Sequence, residues 1–374
     1  MQYGGSNIQI RLFSGILFFD VISSIPFAKL RQERRIIRFS IFKLINVIVN
    51  LSLIFLFFRF LPNINIITNN EFIIILCRNR VTLALMANLI ASIITFGLLY
   101  QEVIKVKLNL DKILIKKILI YSWPLLIAGI SGSINDTLDK LLLKFLGSYE
   151  QLAIYNASYK LAVIITLFIQ MFRYAAEPYF FSIEKEKESN IVYANVMKYF
   201  LISILTIFLI VILYIDYFKW YIGPNFRSGL YIIPIVLLAN VLFGILININ
   251  FWFKLSGKTN WAIGIVGLGA FVTIIGNIIL IPFFGILGSA WSRVFAYLSM
   301  ILFSYFLGRK YYRINYNLKE IGFYIILTSI IFAAGYYIEI KDLILKTIYS
   351  TVLLVIYLYI VNKKEKLINT FIKK

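Results

Sequence analysis

The sequence predicts an all-α polytopic membrane protein, on three observations. The 374 residues are 61% hydrophobic and 17% aromatic, with a mean hydropathy of +0.86, and a soluble chain this apolar lacks the polar surface to cover itself. The charges fall in short clusters between long apolar runs, as expected where lipid is the solvent. Those runs recur at the length of a membrane-crossing helix, about 20 residues.

Taken in order, the apolar runs predict about eleven transmembrane helices. They cover residues 10–28, 38–60, 81–101, 118–140, 153–177, 192–214, 229–250, 260–281, 285–308, 320–338 and 343–361. The fourth pattern stays apolar past Asp136 and Asp139, which extends that helix toward Leu146. Pro124 within it predicts a bend. The start, MQYGGSNIQIRLF, lacks a charged region followed by a short apolar core and a small-residue cleavage site, so no cleavable signal peptide is expected.

Loop charge sets the orientation. One side collects Lys29, Arg31, Arg34, Arg35 and Arg38, then Lys105, Lys107, Lys112, Lys116 and Lys117. Lys185, Lys187, Lys254, Lys258, Arg309, Lys310, Arg313 and the basic tail follow on the same side. The alternate loops are poorer, with Arg78 and Arg80, Lys144, Lys219 and Arg227, and Lys341. The rich side is expected to be cytoplasmic, which places the C-terminus inside and residue 1 outside.

An internal repeat accounts for that outside start. Lys29-Leu30 opens a basic loop and then a helix carrying Asn50 in INVIVNLSLI. Lys254-Leu255 opens a second, with Asn277 in VTIIGNIILIP, at an offset of 225 residues from Lys29 to Lys254. Multi-helix repeats characterise transporter folds. In the second copy three helices stand between residue 118 and the helix ending near Lys254, whereas the first copy shows only the helix ending at Lys29. Three helices are therefore expected upstream of the present start, from an N-terminal truncation or a mis-assigned start codon. The organisation expected is 1–117 as the last three helices of a first bundle, 118–308 as a six-helix bundle, and 309–374 as two additional helices with a basic tail.

Ionisable groups at membrane depth are costly, about 2.5–3.5 kcal/mol on insertion scales, and so mark cavities or partners. In the fifth span Thr166, Gln170, Arg173 and Glu177 share a stripe, with Arg173 and Glu177 spaced to pair. Asn156 and Lys160 share another face, where Lys160 either snorkels or lines a path. Arg293 lies within the ninth span between Ser289 and Tyr297, with no carboxylate in its own helix. It needs a partner on another helix or an anion from a substrate. Asn240, Gly244 and Asn248 form a polar and small-residue stripe, read either as close helix packing or as ligand contact. Asp20, mid-span in the first helix, and Asp139 with Asp136 and Lys140 are candidate ion-coupling carboxylates, along with Glu177. A solvated interfacial cluster is the other reading of Asp139–Lys140.

Composition also excludes whole classes. With one cysteine, Cys77, and no histidine, an internal disulfide is impossible and most zinc, haem and iron–sulfur sites and histidine-based triads are removed. No metal and no cofactor are expected. The +21 formal charge sits beside apolar segments and not on a folded basic face, so nucleic acid is not an expected partner. Gly257-Lys258-Thr259 is not a phosphate loop, because Trp252 stands where the first glycine is required. The longest poorly charged loop, Leu61 to Arg80, holds only Glu71 as an acid, so no enzyme site is expected.

Five stretches carry a family resemblance: SIPFAKLRQERRIIRF, YSWPLLIAGISGSINDTLDKLLLKFLG, IYNASYKLAVIITLFIQMFRYAAEPYFF, FWFKLSGKTNWAI and IPFFGILGSAWSRVFAYLSM. In that order, and over essentially the whole chain, they resemble the polysaccharide-biosynthesis flippases of the multidrug/oligosaccharidyl-lipid/polysaccharide exporter superfamily. The resemblance implies a MATE-like fold of two six-helix bundles around a central cavity, often with two extra helices, and it begins at the family's fourth helix. It implies ion-coupled alternating access that moves an undecaprenyl-diphosphate-linked oligosaccharide across the bacterial inner membrane, with membrane lipids and other polysaccharide-assembly proteins as further partners. Cations would meet the diphosphate through bidentate hydrogen bonds. The candidate substrate path is Arg173, Arg293, Lys160, Gln170 and Asn240, and the candidate coupling acids are Glu177, Asp139 and Asp20. The alternatives are a multidrug exporter of the same superfamily and a non-transporting membrane partner of a polysaccharide polymerase complex.

Overall fold

A computed structural model of the chain describes residues 7–33, 35–60, 79–104, 111–338 and 340–366, without the side chains of residues 103, 131 and 134–136. Cys77, Glu71 and the loop around them, Arg34, Lys105, Lys107, the end of the basic tail and the Asp136 side chain lie outside the described residues. Among the described residues, eleven helical segments are long and apolar enough to cross a membrane. The chain is an all-helical, multi-pass membrane protein. Its contacts divide it into two units, Met1–Leu110 and Asp111–Lys374.

The first unit contains α1 (Asn7–Gln32), α2 (Ile36–Phe60) and α3 (Arg80–Ile104), with α3 packed on both others. Its polar side chains fix the register. Gln9 Nε2 donates to Thr82 Oγ1 at 3.3 Å, Ser92 Oγ to Asp20 Oδ1 at 2.8 Å, and Lys29 Nζ to Glu102 Oε2 at 3.3 Å. These pairs hold a nearly constant sequence offset, so α1 and α3 run parallel at one register. On the other side of α3, Asn46 Nδ2 of α2 donates to Thr95 Oγ1 at 2.7 Å.

The second unit contains α4 (Lys112–Leu146), α5 (Tyr149–Ser182), α6 (Ser189–Leu213), α7 (Ile233–Ile249), α8 (Asn260–Phe284), α9 (Ile286–Tyr311), α10 (Leu318–Tyr337) and α11 (Leu343–Glu365). Side-chain caps fix several starts, with Asp111 accepting from the Ile113 N–H at 2.8 Å and Asp342 from the Leu345 N–H at 2.8 Å. α4 ends at Leu146, as its apolar pattern predicts, and at 35 residues it rises about 50 Å. The seventh span is less uniform than expected. A 3-10 turn over Pro224–Ile232 precedes α7, and a short helix at Phe251–Leu255 follows Asn250. A left-handed Gly285, φ 54°, joins α8 to α9 in one sharp turn.

The trio α7–α8–α9 repeats the arrangement of the first unit. α9 packs on both α7 and α8, as α3 packs on α1 and α2. In both trios an asparagine reaches from the middle helix to a hydroxyl on the third: Asn46 to Thr95, and Asn277 to Ser292 Oγ at 3.0 Å. α6 carries the densest part of the core, with Leu201, Ile204 and Leu209 fully buried against its neighbours.

Candidate functional site

The interior of the second unit holds a buried ionic cluster at the junction of α4, α5 and α9. Asp139 is fully buried, and each of its oxygens is engaged. Oδ2 takes Arg293 Nε at 3.1 Å and the Tyr155 hydroxyl at 2.9 Å, and Oδ1 takes the Lys140 backbone N–H at 2.9 Å. The Tyr159 ring receives two cations, the Arg293 guanidinium at 5.0 Å and Lys140 Nζ at 4.9 Å from its centroid. Arg293 is 4% exposed, and Ser289 and Tyr297, one turn to either side, are buried with it.

The geometry bears on three residues for which the sequence left two readings open. Arg293 meets its counter-charge, Asp139, on another helix, the first of the two readings left open for it. Asp139 is not part of a solvated interfacial cluster, because the apolar faces of α4, α5 and α9 close over it. Asn240 is 1% exposed and donates to the Ala162 carbonyl of α5 at 3.0 Å, as close helix packing requires. A side chain at Gly244 would meet Ile204 Cδ1 at 2.7 Å and Phe200 Cζ at 3.0 Å, so the Asn240–Gly244–Asn248 stripe is a packing surface.

Toward the far end of α5 the expected Arg173–Glu177 pair does not form. Glu177 Oε1 instead binds Lys254 Nζ at 2.5 Å, and the Tyr121 hydroxyl donates to the Lys254 carbonyl at 3.3 Å. Lys254 arrives on the short helix after α7, a chain reversal that α5 spacing alone does not reveal. Thr166, Gln170, Arg173 and Glu177 are all half-buried, lying along the edge of the α5 buried face. Gln170 Oε1 is buried with no hydrogen-bond partner among the described residues, and Arg173 has no ion-pair partner there. Lys160 is exposed. Tyr155 and Glu177 are 22 residues apart on α5, about 33 Å at helical rise. Two polar clusters thus pin α5 near its two ends, with the Thr166–Gln170–Arg173 stripe between them.

In the first unit Glu102, 5% exposed, gathers Lys29 at 3.3 Å, Arg35 at 2.9 Å and Arg38 at 3.8 Å. Much of the basic first loop is therefore tied to a buried acid. Asp20 is exposed at mid-helix, with Ser92 as its donor.

Sequence reasoning missed the clusters that attach α10 and α11. Lys198 of α6 binds Glu320 at 3.1 Å and Glu365 at 2.7 Å, and Glu365 also accepts from the Tyr324 hydroxyl at 2.5 Å. A cavity of about 210 Å³ opens beside Lys198 and Glu320, lined also by Asn190, Asn195, Asn315 and Asn317. At the other ends of these helices Asp216 takes Lys219 at 2.7 Å and Lys346 at 2.6 Å. Burial alone would raise the Asp216 carboxyl, but hydrogen bonds and charge from both lysines outweigh it and hold the group below its ordinary range. The available signal was the run of lone charges Lys198, Asp216 and Glu365 on or beside apolar helices.

Eleven candidate spans among the described residues, repeated helix trios and charges buried in helix-to-helix clusters define a polytopic membrane protein. Residues 5–184 match the family model described as polysaccharide biosynthesis protein. No curated protein matches the chain by sequence. Among solved structures, the lipid II flippase MurJ in an inward closed conformation is similar at 15% identity and a TM-score of 0.46, covering 97% of this chain and 94% of that one.

Proposed function

We infer that the protein is a flippase, not an enzyme. On this reading it translocates undecaprenyl-diphosphate-linked oligosaccharide units across the bacterial inner membrane for surface polysaccharide synthesis, by ion-coupled alternating access. The observation that carries the reading is the family match over residues 5–184. The repeated helix trios support it, since repeats of several helices are the architecture on which transporters alternate.

The C-terminus and the basic loops lie on the cytoplasmic side, and the second unit comprises a six-helix bundle, 118–308, followed by two accessory helices. On this reading Arg173, Gln170 and Lys160 meet the cargo. Arg173 keeps a guanidinium half-buried beside an unpartnered amide, and its planar fork suits a diphosphate. Arg293 and Asp139 serve as the pin that holds α4, α5 and α9 together, and Glu177 acts with Lys254 at the other end of α5.

The test is reconstitution. Purified protein in liposomes loaded with a lipid-linked oligosaccharide should expose the sugar to a membrane-impermeant glycosidase on the opposite side. Arg173→Ala should slow that exposure while the protein level stays normal. Wild-type protein that neither binds nor moves the lipid-linked sugar would sink the reading.

A further inference from the structure

In the second unit α6 and α10 run parallel and in register. Lys198 meets Glu320 near their starts, a Cβ on Gly335 would meet Leu213 toward their ends, and both pairs keep the same sequence offset. Between their first turns, where α6 presents the small Ala194 one turn before Lys198, the two helices leave the cavity of about 210 Å³. That is smaller than the roughly 300–1,000 Å³ of pockets that enclose drug-sized ligands. It suits a single polar headgroup and not an oligosaccharide.

The floor of this cavity is acidic. Lys198 is shared between Glu320, at 3.1 Å, and Glu365, at 2.7 Å, so the three side chains together carry a net negative charge. Lys198 engages Oε2 of Glu320, whose side chain stays 31% exposed on the cavity wall. Asn190, Asn195 and Asn315 bring amide carbonyls to the same walls. A carboxylate among amide carbonyls accepts from a cationic donor, and a primary ammonium offers three N–H groups.

The rim is basic. Arg313 Nε donates to Asn315 Oδ1 at 3.2 Å, which holds the guanidinium at the mouth of the cavity. Lys319 stands beside Glu320, and Lys363 and Lys364 close the end of α11, with Lys364 Nζ 3.7 Å from the Phe323 ring centroid. All four cations are exposed. The α5–α6 loop at this end alternates acid and base from Glu184 to Glu188 and is close to balanced. Cations set beside aromatic rings at the ends of apolar helices mark the membrane boundary.

We propose that this cavity binds the headgroup of a phospholipid bearing a primary amine. The ammonium enters toward Glu320 and the asparagine carbonyls, and the phosphodiester stays at the rim with Arg313 and Lys319. A phosphocholine headgroup carries the same charges but has no N–H to donate, and an anionic headgroup would bring its charge to an acidic floor. The site is independent of the reading as a flippase.

The experiment is lipid binding to the delipidated full chain in detergent, with bound lipid counted by native mass spectrometry. Phosphatidylethanolamine, phosphatidylcholine and phosphatidylglycerol with the same acyl chains are compared. Wild type should prefer phosphatidylethanolamine by about tenfold, the scale of one charge-assisted hydrogen bond. Glu320→Gln should abolish the preference, and so should Ala194→Leu, which fills the cavity without touching the ionic cluster. Equal binding of the three lipids by wild type, or a preference retained by folded Glu320→Gln, overturns the site. Should Glu320→Gln fail to fold, an undiminished preference in Ala194→Leu overturns it equally. Glycerophosphoethanolamine, the headgroup without tails, should compete only in large excess. If it binds as tightly as the lipid, the site takes a soluble amine and the lipid assignment falls.

Discussion

A guanidinium and a carboxylate enclosed between α4, α5 and α9 stabilise the interior only while both are present. Removing one leaves the other buried without compensation, which generally costs about 3–5 kcal/mol. Arg293→Ala is therefore expected to lower stability by that order in chemical unfolding of the solubilised protein. The double variant Asp139→Leu/Arg293→Met should lose much less than the two single changes combined. An Arg293→Ala protein that unfolds with wild type would show that the pin carries no weight. Asp216 gives a pH-dependent counterpart. Its carboxyl is held low by Lys219 and Lys346 in the folded state, so its stabilisation is present above the ordinary carboxylate value of about 3.9 and is lost as pH falls through the lower folded value. Asp216→Asn should lower the melting temperature at neutral pH and make no difference in strong acid. An equal deficit at both pH values would refute the assignment. The depth of these charges was legible in the sequence, but their partners were not. Spacing on α5 offered Glu177 to Arg173, whereas Lys254 comes from a chain reversal more than seventy residues on.

At the scale of elements, the sharp α8–α9 turn brings two backbones together. A Cβ on Gly288 would lie 2.3 Å from the Leu280 carbonyl oxygen and 2.9 Å from the Ile281 nitrogen, and main chain cannot step aside as a side chain can. Gly288→Ala should force the helices apart at a cost of about 1–3 kcal/mol, read as a lower melting temperature. A variant as stable as wild type would show that the turn relaxes freely. The helix spans were largely readable, because an apolar run about 20 residues long leaves few alternatives in lipid. The seventh span was the exception. Its apolar run continues through Gly229 and Asn250, and nothing in its hydropathy marks the changes from 3-10 turn to α7 to the short helix carrying Lys254.

At the scale of the molecule, the repeat and the charge asymmetry bear on one another. α1 and α7 begin at residues 7 and 233, and α2 and α8 at 36 and 260, so the paired helices follow the same order at nearly one offset. Parallel repeats preserve orientation, so the repeat in the sequence predicts the same side for the basic loop after α1 and for the Lys254–Lys258 turn. By the positive-inside rule that side is expected to be cytoplasmic. An odd number of spans then puts the α10–α11 loop, poor in charge except for Lys341 and Asp342, on the other side. Alkaline phosphatase, active only after export, should be active when fused after residue 341 and inactive when fused after Tyr312, beside Arg309, Lys310 and Arg313. A fluorescent protein that matures only in the cytoplasm should glow when fused after Lys366. Tying Arg35 and Arg38 to Glu102 reduces the free positive charge of the first loop, but insertion precedes that folding, so the orienting signal remains intact. Activity at Tyr312 with silence at residue 341 would invert the topology, and with it the side from which cargo enters.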